Sequence, residues 1–129
     1  ANLYLGLCYA NQNKWEDAVK SLDKYSAGND AMVSPTAMAA LGNAYAHTGN
    51  IDKAVSSLKK AASMADSKSS NKANNSISAI FLMQAAQLLE SQNKNEEALK
   101  LYQEVKTKYV NSQQVQNKEI DKYIERLTE

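Results

Sequence analysis

The side chains that most often carry catalysis or bind metal ions are scarce in this chain. Its 129 residues include one histidine, His47, and one cysteine, Cys8. A metal site or a catalytic triad needs such a residue to be joined by further ligands or by an acid. By position in the helical pattern, Cys8 faces helix packing as a small apolar residue. We therefore predict no catalytic residue, no metal site and no bound cofactor.

Acid–base catalysis by carboxylates would require two acids that point into one site. The chain has the adjacent pairs Glu16-Asp17 and Glu96-Glu97, but neighbouring residues on a helix point about 100° apart. Both pairs open a predicted helix, where acids interact favourably with the positive end of the helix dipole. We interpret them as features of helix ends and predict that the protein is not an enzyme.

Charge and hydropathy narrow the classes of partner. The 15 basic and 14 acidic residues give a formal charge of +1, without the basic stripe of a nucleic-acid binder. No apolar run reaches the ~20 residues of a membrane helix. We therefore expect neither nucleic-acid binding nor direct membrane contact by this segment. Because the helical pattern begins at Ala1 without a methionine, we expect the natural chain to begin further upstream.

A repeated motif organises the chain. Residues 5–10 (LGLCYA) return 36 positions later as residues 41–46 (LGNAYA), and a weaker copy around Ala85-Ala86 follows after another 44. Each copy precedes a second helical segment. Small residues recur where the two helices of each copy would meet; they are Gly6, Gly42 and Ala86 on the first helices and Ala18, Ala54 and Ala98 on the second. Such residues let two helix axes approach closely.

Turn residues and apolar spacing set the expected helices. Asn13, Gly49 and Asn93 follow the first helices, and both residue types tolerate the left-handed conformation that ends a helix. The pattern predicts an all-helical chain, with helices at about 1–12, 14–26, 34–48, 50–65, 76–91, 94–109 and 112–127. The last would cap the stack through an apolar stripe that includes Ile120 and Tyr123.

Residues 66–75 (DSKSSNKANN) lengthen the second interval of the repeat. We interpret this polar segment as a solvated loop, because insertions in surface loops cost little free energy. The alternative is a basic recognition loop that uses Lys68 and Lys72.

Residues 41–45 (LGNAY), with Gly49, Asp52, Ala54 and Ala61, resemble the tetratricopeptide repeat (TPR). In that family a repeat of about 34 residues forms a helix–turn–helix unit, and the units stack into a superhelix. The resemblance implies an all-α fold, an α–α superhelix in one domain of residues 1–129. Its units would span about 1–33, 34–75 and 76–110, and a capping helix would span 111–129.

In the TPR family the first helix of each unit lines a concave groove. The resemblance therefore implies a scaffold that binds a protein or peptide segment in that groove. The groove residues assigned by repeat position are Leu3, Leu7, Asn11, Ala39, Asn43, His47, Met83, Gln87 and Glu90. Leu3 and Leu7 stand where chaperone-binding members carry Lys and Asn, so we expect no carboxylate clamp. Alternatively, Leu3, Leu7 and Ile80 pack on an upstream helix or on a second copy, which would make a homo-oligomer.

The tail of the chain carries a more particular resemblance. Residues 98–102 (ALKLY), 109–112 (YVNS) and 118–124 (KEIDKYI) are similar to the closing part of bacterial envelope repeat proteins, including ancillary Sec translocon subunits and outer-membrane assembly lipoproteins. This resemblance implies a membrane-anchored or periplasmic domain. A cytoplasmic adaptor and a self-associating structural domain are the alternatives.

Overall fold

Helices make up most of the part of the chain that the structure, a computed structural model, describes. That part comprises Gly6, Cys8 and residues 14–28, 35–67, 77–116 and 118–128, with only the backbone of 25–28. It contains no strand, and Gly6 and Cys8 are themselves helical. The helices are α1 (Trp15–Gly28), α2 (Pro35–His47), α3 (Ile51–Ser67), α4 (Ser78–Ser91), α5 (Asn95–Lys108), α6 (Gln113–Gln116) and α7 (Glu119–Thr128). The all-α prediction is confirmed.

The chain divides into two compact units, residues 1–61 and 62–129, and the division falls within α3. In the first unit α1 packs against α2. In the second unit α4 packs against α5, and α7 packs against both α5 and α6. Each unit is therefore built from contacts between helices that are close in sequence.

Small residues form the helix contacts of the first unit, as the repeat predicts. A Cβ atom on Gly42 would lie 3.1 Å from the Ala54 carbonyl oxygen and 3.1 Å from Leu58 Cγ. A Cβ atom on Gly6 would lie 2.5 Å from Leu22 Cγ, which is too close for two carbon atoms. Because Ala54 itself is fully buried, neither side of the contact between α2 and α3 has room for a larger side chain.

The second unit repeats this arrangement with alanine in place of glycine. Ala86 of α4 and Ala98 of α5 are both fully buried. Bulkier residues at helical spacing fill the interior beside them, and Leu101 and Val105 are buried on the same face of α5 as Ala98. This burial of apolar area is the main favourable term in the stability of such a small unit.

Two turns share the same hydrogen-bond pattern. After α2, the Asn50 N–H donates to the Tyr45 carbonyl at 2.9 Å; after α4, the Lys94 N–H donates to the Leu89 carbonyl at 2.9 Å. These bonds close a Schellman motif, which requires a left-handed residue just before the donor. Gly49 (φ 88°) and Asn93 (φ 59°) supply it. The predicted left-handed turns are confirmed at both positions, and Asn13 lies outside the described residues.

The start of α2 suits a proline, and the acids of two helix starts match their predicted roles. Pro35 is the first residue of α2, where its missing N–H leaves no bond unmade. Glu16-Asp17 lie in the first turn of α1, and Glu96-Glu97 lie in the first turn of α5. These carboxylates therefore face the positive ends of their helix dipoles.

The prediction of one continuous capping helix at 112–127 is wrong, because the structure has two helices there. The backbone turns left-handed at Lys118 (φ 63°) and separates the four-residue α6 from α7. The break lets α7 pack on α5, where the Tyr123 ring stacks on the Tyr102 ring with centroids 5.1 Å apart. Ile120 is fully buried. A straight helix would carry this apolar stripe in a different direction.

The prediction that Asp66 belongs to a solvated loop is also wrong. Asp66 lies within α3 and is 6% exposed. Its Oδ2 accepts a hydrogen bond from the Tyr109 hydroxyl at 2.5 Å and lies 3.0 Å from Lys108 Nζ. Nearby, the buried Ser78 hydroxyl donates to the Ala62 carbonyl at 2.9 Å. This polar cluster joins the end of α3 to the start of α4 and the end of α5, and a buried carboxylate needs such partners.

Enlarging Ala54 tests the close contact between α2 and α3. We expect Ala54→Leu to lower the free energy of unfolding by about 1–3 kcal/mol, because its added atoms have no space beside Gly42. Chemical denaturation followed by circular dichroism measures the change. Lys59→Leu, at an exposed position of the same helix, should leave stability nearly unchanged. Equal effects of the two substitutions would show that this contact is not tight.

Removing the Tyr109 hydroxyl tests the polar cluster. We expect Tyr109→Phe to destabilise the chain by about 1–3 kcal/mol at pH 7, because Asp66 stays buried and loses a donor. Tyr123→Phe is the control, since Tyr123 is only half-buried, and it should cost under about 0.5 kcal/mol. Equal unfolding midpoints for the two variants would contradict the assignment.

The same variant has a defined pH dependence. Burial, reinforced by the hydrogen bond to Asp66, raises the pKa of Tyr109 above its ordinary value. The neutral hydroxyl is therefore favoured in the folded state, and its contribution is fully present below about pH 10. Above that pH the unfolded state releases the proton first, and the contribution is lost. The stability difference between the unmodified chain and Tyr109→Phe should narrow as the pH rises beyond about 10.

Candidate functional site

In the first unit, the candidate groove residues of α2 follow one stripe of the helix. Ala39, Asn43 and His47 are four positions apart and so lie above one another. Asn43 and His47 are exposed, whereas Ala39 is 4% exposed. Asn43 therefore presents its amide to solvent on this stripe, whereas the Ala39 side chain is buried.

His47 is held by an aromatic contact. Its ring lies 3.9 Å from the Trp15 ring, centroid to centroid, and the planes differ by 6°. Trp15 begins α1 and His47 ends α2, so the stacked pair ties two helix ends of the first unit together. Across the described residues, no group of three His, Cys, Asp or Glu side chains could hold a metal ion.

In the second unit, the candidate residues of α4 differ in what they offer. Gln87 is exposed, and Met83 is 5% exposed. Glu90 accepts two hydrogen bonds from Arg126 Nη2, each 2.6 Å long. The Arg126 guanidinium also lies 5.1 Å from the centre of the Tyr123 ring. Glu90 thus anchors α7 to α4, which is a structural use that its repeat position did not predict.

This cluster perturbs two ionisable groups. The hydrogen bond that Arg126 donates to Glu90 raises the pKa of Arg126 above its ordinary value. Burial raises the pKa of Tyr102, and the Glu90 carboxylate adds to the shift. Both groups therefore keep their protons throughout the physiological range.

The candidate groove as a whole stays a prediction. Leu3, Leu7 and Asn11 lie outside the described residues, as do Lys68 and Lys72 of the alternative basic loop. Among the candidates that the structure describes, Asn43, His47 and Gln87 are the exposed ones. Cys8, predicted to be buried, is instead a half-buried free thiol.

Two apolar residues at the start of α4 are exposed. Ile80 is predicted from the sequence as a contact residue together with Leu3 and Leu7, whereas Ile77 is missed. Ile80 is 42% exposed and Ile77 is 37% exposed. Ile80 and Gln87 are seven positions apart and therefore lie on the same face of α4. The signal that could have found Ile77 is a β-branched residue at a position where a surface helix usually carries a polar one.

The sequence and the fold each match a secretion-related protein. Residues 2–120 match the family described as "T7SS, ESX-1 secretion system protein EccA1, N-terminal domain". The chain belongs to this EccA1 N-terminal domain family. No curated protein sequence matches the chain.

Among solved structures, the fold of this EccA1 family member is similar to SycD, the type III secretion chaperone of Yersinia enterocolitica, in complex with a peptide of the translocator YopD. The TM-score is 0.73 over 98% of this chain and 89% of that chain, with 19% sequence identity. A likeness at this identity concerns the fold, and it confirms a TPR-type helical repeat.

The resemblance of the tail to Sec translocon subunits gains no support from either match, since both belong to other secretion systems. None of the described helices is both long and apolar enough to cross a membrane. The prediction of a TPR-type repeat is therefore confirmed, whereas the prediction of an envelope protein has no support from these matches.

Replacing His47 tests the stacked pair. We expect His47→Ala to expose the Trp15 ring, shift its fluorescence emission to longer wavelength and lower stability by about 0.5–1 kcal/mol. Trp15 is the only tryptophan, so the emission reports this contact alone. His47→Phe preserves a stacking ring and should keep the original emission. Identical spectra for the alanine variant and the unmodified chain would rule out the stack in solution.

Proposed function

We propose that this chain is a non-catalytic adaptor of a secretion system that binds a peptide segment of a partner protein. The observation that carries the proposal is the agreement of two independent matches. The chain belongs to the EccA1 N-terminal domain family over residues 2–120, and its fold is similar to a secretion chaperone that binds a translocator peptide. Helical repeats of this type commonly present surfaces for peptide recognition.

The side chains proposed to contact the peptide lie on the first helix of each hairpin. Asn43 of α2 carries an exposed amide that can both donate and accept hydrogen bonds, as peptide backbone recognition requires. Gln87 of α4 offers the same groups in the second unit, and the exposed Ile80 on the same face offers apolar contact. At the level of the sequence, Leu3, Leu7 and Asn11 extend this set.

His47 has no acid–base role in this proposal. Its ring is occupied by the stack on Trp15, and its exposed edge is available as one more polar contact beside Asn43. The proposal therefore rests on binding surfaces and requires no reaction step.

The proposed compartment is the cytoplasm. A chaperone or adaptor of secretion must hold its partner before export, and therefore on the side of the membrane where the partner is made. We prefer this cytoplasmic adaptor to the periplasmic interpretation, because the latter depends on short motifs in the tail that neither match supports.

Site-specific crosslinking in the source cells tests the proposal. The photoreactive residue benzoylphenylalanine replaces Asn43 or Gln87 in the full-length protein, and it replaces Glu104, an exposed residue of α5, as the control. We expect one partner protein to crosslink at both candidate positions and not at the control position. Mass spectrometry then maps the crosslinked segment.

A synthetic peptide of the mapped segment provides the quantitative measurement. Fluorescence anisotropy should show that Asn43→Arg and Gln87→Arg each weaken binding about tenfold, or about 1.4 kcal/mol. Glu104→Arg should change binding less than about twofold. Crosslinks at all three positions, or a peptide that binds every variant equally, would overturn the proposed surfaces. Crosslinks between copies of the chain alone would favour the self-associating alternative.

A further inference from the structure

A cleft of about 230 Å³ opens in the first unit on the side of α2 away from Asn43. Its lining comes from α1, α2 and α3, and from α2 it includes Met38, Leu41 and Tyr45. At about 100° per residue, this stripe lies nearly opposite the one that carries Asn43. The cleft is therefore separate from the surface proposed above.

The cleft combines an apolar floor with a basic wall. Met38 and Leu41 are each 4% exposed and form the floor. Lys53 and Lys60 of α3 are exposed at the rim, seven positions apart, so they lie on one face of that helix. Two serines between them, on the same face, add hydroxyl groups. The wall that α3 contributes carries no acid.

The opposite wall holds one acid, which already has a partner. Asp23 of α1 accepts a long hydrogen bond of 3.4 Å from the Tyr45 hydroxyl. Lys53 Nζ lies 5.6 Å from the centre of the Tyr45 ring. Burial, together with the Asp23 carboxylate, raises the pKa of Tyr45, so this hydroxyl keeps its proton. With two lysines against one carboxylate, the residues that line the cleft carry a net positive charge.

Tyr45 also forms the boundary of a second cleft. That cleft has about 260 Å³ and is lined by Glu16, Val19 and Lys20 of α1 and by the turn after α2. Each cleft is smaller than the roughly 300–1,000 Å³ of a typical small-molecule site. Because the two clefts share Tyr45 as a boundary, they fit successive side chains of one protein segment better than they fit one compact ligand.

We propose that the cleft lined by Met38, Leu41, Lys53 and Lys60 is a second docking site, which binds an acidic protein segment that carries a bulky apolar residue. The apolar side chain packs on Met38 and Leu41, and neighbouring carboxylates pair with the two lysines. Charge complementarity selects this occupant, because the lining holds two lysines against one carboxylate and the floor is apolar.

Binding of defined peptides to the purified chain tests this site. The probe is an eight-residue peptide with six acidic residues, a leucine and a phenylalanine. Two control peptides are used. The basic peptide carries lysine at the six acidic positions, and the serine peptide carries serine at the two apolar positions. In nuclear magnetic resonance titrations, we expect the first peptide to shift the amide signals of Lys53 and Lys60. The basic peptide should shift neither, and the serine peptide should bind at least about fivefold more weakly.

Charge reversal supplies the matched variants. Lys53→Glu and Lys60→Glu should each weaken binding at least about fivefold, whereas Lys59→Glu, exposed on the same helix, should weaken it less than about twofold. Circular dichroism checks that every variant folds. Equal loss with Lys59→Glu, or equal binding of the serine peptide, would overturn the site, because either result means non-specific attraction to charge.

Two further measurements distinguish peptide docking in this cleft from simple anion binding and from binding at the Asn43 surface. Ten millimolar inorganic phosphate should not reproduce the shifts; if it does, the site is an anion contact and the peptide proposal fails.

Asn43→Arg should leave binding of the acidic peptide unchanged, because it lies on the opposite stripe of α2. A loss with Asn43→Arg would place the peptide on the other surface and overturn the second site. Failure of the acidic peptide to bind would overturn the second site and leave the crosslinking result at Asn43 unaffected.

Discussion

The close approach of paired helices at small residues is the constraint on which the rest of the structure depends. Between α2 and α3, the absent Cβ of Gly42 leaves just enough room for the backbone and side chains opposite. This contact fixes how α2 is rotated, and the rotation decides what each of its stripes can do. One stripe presents Asn43 to solvent, and the other forms the floor of the cleft with Met38 and Leu41. Two surfaces of different chemistry follow from one steric condition.

The features that could be predicted from the sequence are those set by neighbouring residues. A left-handed turn after a helix depends on the residue at the turn, and Gly49 and Asn93 indicate it directly. The burial of Asp66 depends instead on Tyr109, 43 positions away. In the sequence, Asp66 begins a polar segment, and nothing local distinguishes it from the serines and lysines that follow. The left-handed turn at Lys118 could not be predicted either, because it is formed by a lysine and not by the glycine or asparagine that usually marks such a turn.

The candidate site likewise has features that the sequence predicts and features that depend on distant contacts. Repeat position places Asn43 and Gln87 on exposed helix faces, because a helix with one buried stripe must expose the other. It could not show that Glu90 is bound by Arg126, 36 positions further along, or that His47 stacks on Trp15. It also could not show the clefts beside Tyr45, since residues from separate helices enclose them. The framework of a repeat fixes the core closely and leaves surface chemistry free, so the identity of a partner depends mainly on residues that the repeat does not constrain.

The attachment of α7 has a consequence for protein engineering. The stacked rings of Tyr102 and Tyr123 fasten its inner side, and its outer side presents Lys122 and Glu125 to water. An additional hairpin grafted after α7 would have to bury these charges, which is unfavourable without new partners. Designers who wish to lengthen this array should therefore insert new modules upstream of α7 and keep α7 packed on the last of them.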